Sequence, residues 1–266
     1  MDLELTGKRA LVTGGSRGIG KAIAKALAME GMDVAIAARG EEALAATATE
    51  LAGETGRNIV PVTADTGDAD SVRRLVAESV AALGGIDVLV NCAAKPGGQA
   101  AAPLLSEITE QAFWDDMNVK VMGYLRCARE VAPLMVAQGW GRIVNISGLA
   151  ARGSGSTIGS MRNVAVAAMT KNLADELGPH GVNVTVVHPG LTRTEATPAM
   201  SERRAKALGT TPAQFERQLG ESNSVGRLID AAEVADVVAF LASPRSGSIN
   251  GDAIACGGGV GRAIHY

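Results

Sequence analysis

Short, almost wholly apolar runs alternate along the chain with longer amphipathic stretches. Runs at 8–13 (KRALVT), 33–38 (DVAIAA), 58–63 (NIVPVT), 86–91 (IDVLVN), 142–147 (RIVNIS) and 182–187 (VNVTVV), with a shorter one near 252–255, have the length and residue types of strands. Helical spacing fills the gaps at 18–30, 41–55, 70–83, 111–137, 158–178 and 231–242. The strands are nearly continuous in hydrophobicity rather than alternating, the pattern of strands buried on both faces. Alternating strands and helices with short connections predict right-handed crossovers and a parallel sheet. The expected architecture is therefore a doubly wound, Rossmann-type α/β fold, with helices on both faces and one domain over residues 1–266. A binding site belongs outside the carboxyl ends of such strands. The Ala-rich stretch 43–52 reads as helix, not linker. The polar, charged segment 195–224 has no place in the sheet and is expected to be a flexible substrate flap over the site.

Composition narrows the function classes. The 266 residues are 47% hydrophobic and 20% charged, enough for one large core. The net charge of -3 offers no basic face, so a nucleic-acid partner is not expected. Cys92, Cys127 and Cys256 are far apart and odd in number, which argues against a disulfide framework and fits a reducing cytoplasm. His180, His188 and His265 are scattered, and no spacing resembles a metal site. No signal peptide and no membrane-length apolar run is recognisable, so no membrane partner is expected.

The chemistry begins where the first strand ends. Residues 13–20 read TGGSRGIG, and a helix follows at once. Gly14, Gly18 and Gly20 permit a tight turn and close backbone approach. The helix start then presents free N–H groups and a partial positive charge to a pyrophosphate. Thr13, Gly14, Ser16, Arg17, Gly18, Ile19 and Gly20 are thus candidate cofactor-binding residues, in the strand–turn–helix context that the motif requires. After the second strand, where an acid would hold the ribose hydroxyl of NAD, the chain has Arg39. An arginine clamps a 2′-phosphate that an acid would repel, and Arg17 is placed to reach the same group. NADP(H) is therefore favoured over NAD(H). Glu41 and Glu42 are expected to point outward from the next helix.

Together these motifs resemble the short-chain dehydrogenase/reductase (SDR) family, in its form of about 250 residues, over roughly 5–260. The resemblance implies further site residues. Asp65 falls where the family contacts adenine, and Asn91 heads a strand end, Asn91-Cys92-Ala93-Ala94, like the family's Asn-Asn-Ala-Gly. Asn118 falls at the active-site Asn and Ser147 at the catalytic Ser. Pro189-Gly190 with Thr194 resembles the loop that grips the nicotinamide carboxamide. Val225-Gly226-Arg227 and the stretch from Ile249 to Gly258 match as well. The helices at 111–137 and 158–178 resemble those of the family's dimer contacts, implying a homotetramer or homodimer.

One part of the family pattern is missing. A Tyr is expected twelve or thirteen residues after the Ser, and a Lys four beyond it. The ungapped register puts Gly159 and Asn163 at those positions. A phenol whose pKa is lowered by an ammonium protonates the alkoxide left by hydride transfer; Gly159 and Asn163 supply neither group. The leading reading is an NADP(H)-dependent oxidoreductase with an altered centre, acting on a small carbonyl or secondary alcohol. Ser147 would polarise the carbonyl, with water or another side chain, His188 among the candidates, as proton carrier. The alternative is a non-catalytic NADP(H)-binding protein, a sensor or partner subunit; a structural oligomer with a vestigial site is the third. Tyr266, at the chain end, is a remote candidate for a phenol donated to a neighbouring subunit.

Overall fold

The computed structural model describes residues 1–95 and 102–261. The chain runs β1 (Arg9–Thr13), α1 (Gly18–Met29), β2 (Asp33–Ala38), α2 (Glu41–Thr55), β3 (Ile59–Thr63), α3 (Ala69–Leu83) and β4 (Val88–Asn91). It continues with α4 (Glu110–Met117), a π-helical turn at Asn118–Met122, α5 (Gly123–Gln138), β5 (Gly141–Ile146), α6 (Thr157–Leu177) and β6 (Val182–Pro189). Then come β7 (Thr192–Arg193), α7 (Thr197–Leu208), α8 (Pro212–Gly220), β8 (Ile229–Asp230), α9 (Ala231–Ala242) and β9 (Ala253–Cys256).

Seven strands form one sheet in the order β3-β2-β1-β4-β5-β6-β9, and every pair in it is parallel. The order reverses between β1 and β4, which creates a crevice at their carboxyl ends. Adjacent residues of one strand point to opposite faces, so both faces carry a core. On one side, Val12, Ile36, Val90 and Val144 pack with Ile23 and Leu27 of α1, Leu51 of α2 and Val238 of α9. On the other, Leu11, Leu89, Ile143 and Val184 pack with Leu75 of α3, Val131 and Met135 of α5, and Leu177 of α6. This two-sided burial is why the strands read as continuous apolar runs.

Two features depart from the expectation. The helical pattern at 111–137 is not one helix, because the π-turn interrupts it. The segment 195–224 is largely helical. Pro198 sits in the first turn of α7, and α8 opens on Pro212 with a capping box between Thr211 and Gln214. Arg193 and Ser201 both reach Glu216, which ties the two helices to each other and to the strand end.

At the amino end of the sheet, Arg9 clamps Asp87 through Nε at 2.7 Å and a terminal nitrogen at 2.9 Å. This fork fixes the start of β1 to the approach of β4, and so the register of the strands that open the crevice.

Candidate active site

The glycine loop is held in place before it meets any ligand. The Gly14 and Gly15 amides donate to the Ala37 carbonyl of β2 at 2.7 and 3.1 Å. Thr13 Oγ1, wholly buried, accepts from the Cys92 and Ala93 amides at 3.0 and 3.2 Å, locking the end of β4 against that of β1. Glycine is compulsory at two positions. Gly14 has φ +70°, and a Cβ there would lie 3.0 Å from the Ala93 backbone; a Cβ on Gly20 would stand 2.2 Å from the Gly14 carbonyl oxygen. Helix α1 starts at Gly18, and no side chain of its N-cap residue, Arg17, closes it. Instead the Glu195 carboxylate, from the loop after β7, accepts a hydrogen bond from the Gly18 amide at 2.6 Å. Ser16 and Ile19 lie in the same turn, and the Ser16 carbonyl accepts from Thr47 of α2 at 2.9 Å.

Arg17 and Arg39 are exposed at the ends of β1 and β2, and neither pairs with an acid among the described residues. Glu41 and Glu42 are exposed in the first turn of α2, at its positive end, and neither forms an ion pair with the arginines. The crevice therefore offers a turn of backbone amides, with that of Gly18 held by Glu195, and unpaired cations at its rim. That set of donors fits a dinucleotide carrying an extra phosphate. Asp65 is less free: its carboxylate accepts from the Gly67 amide at 2.8 Å in the turn after β3.

At the other half of the crevice, β5 ends beside Ser147 and α6 runs past it. Ser147 Oγ donates to the Asn163 carbonyl at 3.0 Å, so its one proton is engaged with the helix backbone. Gly159 lies one turn earlier on α6, beneath the N-cap Ser156, whose Oγ accepts from the Gly159 amide at 3.2 Å. A Cβ on Gly159 would lie 3.0 Å from that same oxygen.

A lysine that the sequence reading passed over completes this corner. Lys120, in the π-turn, is 3% exposed. Its Nζ donates to the Ser147 carbonyl and to Asn163 Oδ1, each at 2.9 Å. Burial pushes its ammonium down to about 7, with Arg162 adding to the fall while Cys92 and Asp116 oppose it. The two predicted neighbours of Ser147 thus differ. Asn163 is present, while Asn118 points away: its Nδ2 donates to the Gly67 carbonyl at 3.0 Å and its Oδ1 accepts from Arg126 at 2.8 Å. Residues two apart on a helix differ by about 200° in direction, so Asn118 and Lys120 cannot serve the same site. A signal for Lys120 existed. Lys120, Tyr124, Cys127 and Val131 fall on one helical stripe, and all four are buried. A lysine on an apolar stripe has to be there for a partner.

Other expectations are redistributed. Asn91 is wholly buried in a polar ladder across the sheet, its Nδ2 donating to Asn145 at 2.9 Å and Asn145 in turn donating to Thr170 at 3.0 Å. His188 is also buried, its Nδ1 without a partner among the described residues. Burial, helped by the charges of Arg152 and Lys120, pushes its pKa down to about 4, so it is neutral at pH 7 and poorly suited to carry a proton. Pro189 closes β6, and the Gly190 amide donates to the Cys256 carbonyl at 3.1 Å, which sets the loop that leads to Thr194 beside Gly18. Cys92 is half-buried, and desolvation of its thiol pushes the pKa up to about 12, which disfavours a ready thiolate. Tyr124 donates its phenol to the Ile146 carbonyl at 2.9 Å and is wholly buried. Tyr266 lies outside the described residues.

Proteins of similar sequence and fold are known. A family model described as enoyl-(acyl carrier protein) reductase matches residues 14–261. The short-chain reductase protein NovJ of Streptomyces niveus is 39% identical, covering 94% of this chain and 92% of its own. The 3-oxoacyl-[acyl-carrier-protein] reductase FabG of Staphylococcus aureus is 33% identical, covering 95% of this chain and 98% of its own. Among solved structures, L-sorbose reductase from Gluconobacter frateurii, complexed with NADPH and L-sorbose, superposes with a TM-score of 0.92 at 27% identity, covering 99% of this chain and all of its own. The chain belongs to the short-chain dehydrogenase/reductase family and has its oxidoreductase fold. No helix among the described residues is long and apolar enough to cross a membrane.

Proposed function

We propose that the protein is an NADP(H)-dependent oxidoreductase that interconverts a small carbonyl compound and a secondary alcohol with an altered catalytic centre. The observation that carries the cofactor half is the pair of unpaired arginines, Arg17 and Arg39, at the rim of a glycine turn whose Gly14 and Gly20 have no room for a Cβ. The NADPH bound by the L-sorbose reductase supports the same reading. Gly14, Gly18 and Gly20 would receive the pyrophosphate on backbone amides, Arg17 and Arg39 the 2′-phosphate, Asp65 the adenine side, and Pro189, Gly190 and Thr194 the nicotinamide end. When bound, the cofactor supplies the two electrons and the hydrogen exchanged with the substrate carbon.

The altered half is Gly159 and Asn163, which stand where the family's Tyr and Lys are expected. Ser147 retains lone pairs to orient a substrate hydroxyl, or its hydrogen to polarise a carbonyl once the bond to Asn163 is exchanged. The exposed apolar side chains Trp114, Met122, Leu125, Leu134, Met161 and Val164 lie along α4–α6 and support assembly as a homotetramer or homodimer through those helices. The free cysteines fit the reducing cytoplasm.

A second reading, a cofactor-binding sensor or partner subunit without chemistry, draws on one observation. The only phenol among the described residues, Tyr124, is buried and committed to the sheet. Side-by-side titration with NADPH and NADH, followed by a ketone panel, decides between them. Saturable NADPH binding with much weaker NADH binding and measurable turnover is the expected result. Binding without turnover of any ketone selects the sensor, and binding of neither nucleotide overturns both.

A further inference from the structure

We propose that Lys120 is the group that gives and takes back the proton at the substrate oxygen, doing from the opposite wall what Gly159 and Asn163 cannot do from α6. The inference rests on the oxidoreductase reading above. Its basis is placement. The π-turn inserts one extra residue between α4 and α5, and Lys120 then projects under the end of β5. π-turns recur at functional sites because they redirect a side chain without breaking the helix. The Lys120 ammonium spans the Ser147 carbonyl and the Asn163 side chain, so an amide and an ammonium meet where α6 alone would have supplied the cation.

An ammonium has three donors, and two of Lys120's have acceptors among the described residues, which leaves a hydrogen for a further acceptor. The other candidates around Ser147 are committed. Ser147 Oγ gives its hydrogen to Asn163, and Tyr124 gives its own to Ile146. His188 is neutral and desolvated. Arg162, from α6, is paired with Asp116 of α4. The titratable and charged groups facing Lys120 are therefore Arg162, Asp116, the Cys92 thiol at the end of β4, and His188 of β6. With a pKa of about 7, Lys120 populates both protonation states where a proton carrier works best.

The step balances. In reduction, the carbonyl carbon gains a C–H bond with the electron pair delivered by the reduced cofactor, and the C–O π pair moves onto oxygen. The O–H bond forms with the proton leaving Lys120 Nζ, and the neutral amine regains a proton from water. Oxidation of the alcohol runs the same transfers backward, with the amine as base.

The first test needs no turnover. In the full-length chain carrying ¹³C-labelled lysine, the resonance lost in Lys120→Met is expected to titrate with a midpoint near 7, against an ordinary value of about 10.4. A midpoint near 10 overturns the proposal. The second test uses NADPH and ethyl acetoacetate, then a wider ketone panel. Lys120→Met is expected to lower kcat by about 10²–10⁴-fold and to remove the inflection near neutral pH, while NADPH binding stays within a few-fold. Lys120→Arg, which keeps the charge but cannot titrate, is expected not to rescue kcat. Unchanged kcat and pH profile in Lys120→Met overturn the proposal and leave the oxidoreductase reading standing. NADPH binding by the parent protein with no turnover of any ketone overturns the catalytic role alone, whereas absence of NADPH binding overturns the underlying reading. Should Lys120→Met fail to fold, the exchange Lys120→Asn/Asn163→Lys keeps one ammonium against one amide. Its pH inflection is expected to move, and an unmoved inflection sinks the assignment.

Discussion

The Glu195 carboxylate accepts a hydrogen bond from the Gly18 amide at 2.6 Å, joining residues 177 positions apart in the chain. Glu195 thereby sits with its negative charge on the helix start that a pyrophosphate would use, and the two anions compete for the same N–H and the same partial positive charge. Glu195→Gln keeps the side chain's shape and removes the charge. NADPH is expected to bind about two- to fivefold more tightly to the variant, from a charge–helix term of about 0.3–1 kcal/mol. Fluorescence titration reads the change, and weaker binding would show that Glu195 organises the loop instead.

Under the proposed function, Arg39 is expected to set the choice of nucleotide. Losing a charge-assisted bond to the 2′-phosphate costs about 1.5–3 kcal/mol, so Arg39→Ala is expected to weaken NADPH binding roughly 10- to 150-fold and to leave NADH nearly unchanged. Arg17→Ala should act in the same direction. Equal losses for both nucleotides would mean that these arginines contact the shared pyrophosphate rather than the extra phosphate.

Gly20→Ala tests the cradle without touching any charge. The new methyl would meet the Gly14 carbonyl at 2.2 Å, and that carbonyl belongs to a loop already anchored on β2. The loop has to shift, at a cost of about 1–3 kcal/mol in chemical denaturation, and saturable nucleotide binding is expected to disappear. Retained affinity would argue that the nucleotide lies elsewhere.

His188 predicts a pH effect on stability. Its folded pKa is about 4, lowered by burial and by the Arg152 and Lys120 charges, against about 6.5 in the unfolded chain. Between these values the unfolded chain holds the proton and the native chain does not, so stability rises with pH from about 4 to 6.5 and falls on acidification. Urea unfolding at pH 5 and pH 7 should show a smaller difference for His188→Leu than for the parent. An equal difference would place that titration in other groups.

Installing a Tyr–Lys pair on α6 is expected to take three substitutions. Gly159→Tyr must displace Ser156, 3.0 Å from the new Cβ, and Asn163→Lys alone sets a second ammonium against Lys120 Nζ. Like charges in a buried contact raise the cost of both. Adding Lys120→Asn removes that conflict, so the triple variant should reduce ethyl acetoacetate faster than the Gly159→Tyr/Asn163→Lys double variant and melt at a higher temperature. A double variant that performs as well as the triple would show that Lys120 tolerates a neighbouring cation.

How far each level of description reached follows from the range of the forces involved. The strands, the parallel sheet and the glycine loop were legible because they depend on local facts: a run of apolar residues wide enough for two buried faces, and glycines between a strand and a helix. The position of Arg39 was legible for the same reason, lying directly after β2. The helices within 195–224 were obscured because their sequence is polar, and their ordering comes from caps and from Glu216 meeting Arg193 and Ser201. Only the tertiary structure put Lys120 rather than Asn118 beside Ser147, because one extra residue in the π-turn rotates everything after it. Likewise only the fold brought Glu195 to Gly18. The chain's own letters state that positions 159 and 163 of α6 are Gly and Asn; which side chains surround Ser147 depends on contacts between elements far apart in sequence, whose energies no local pattern records.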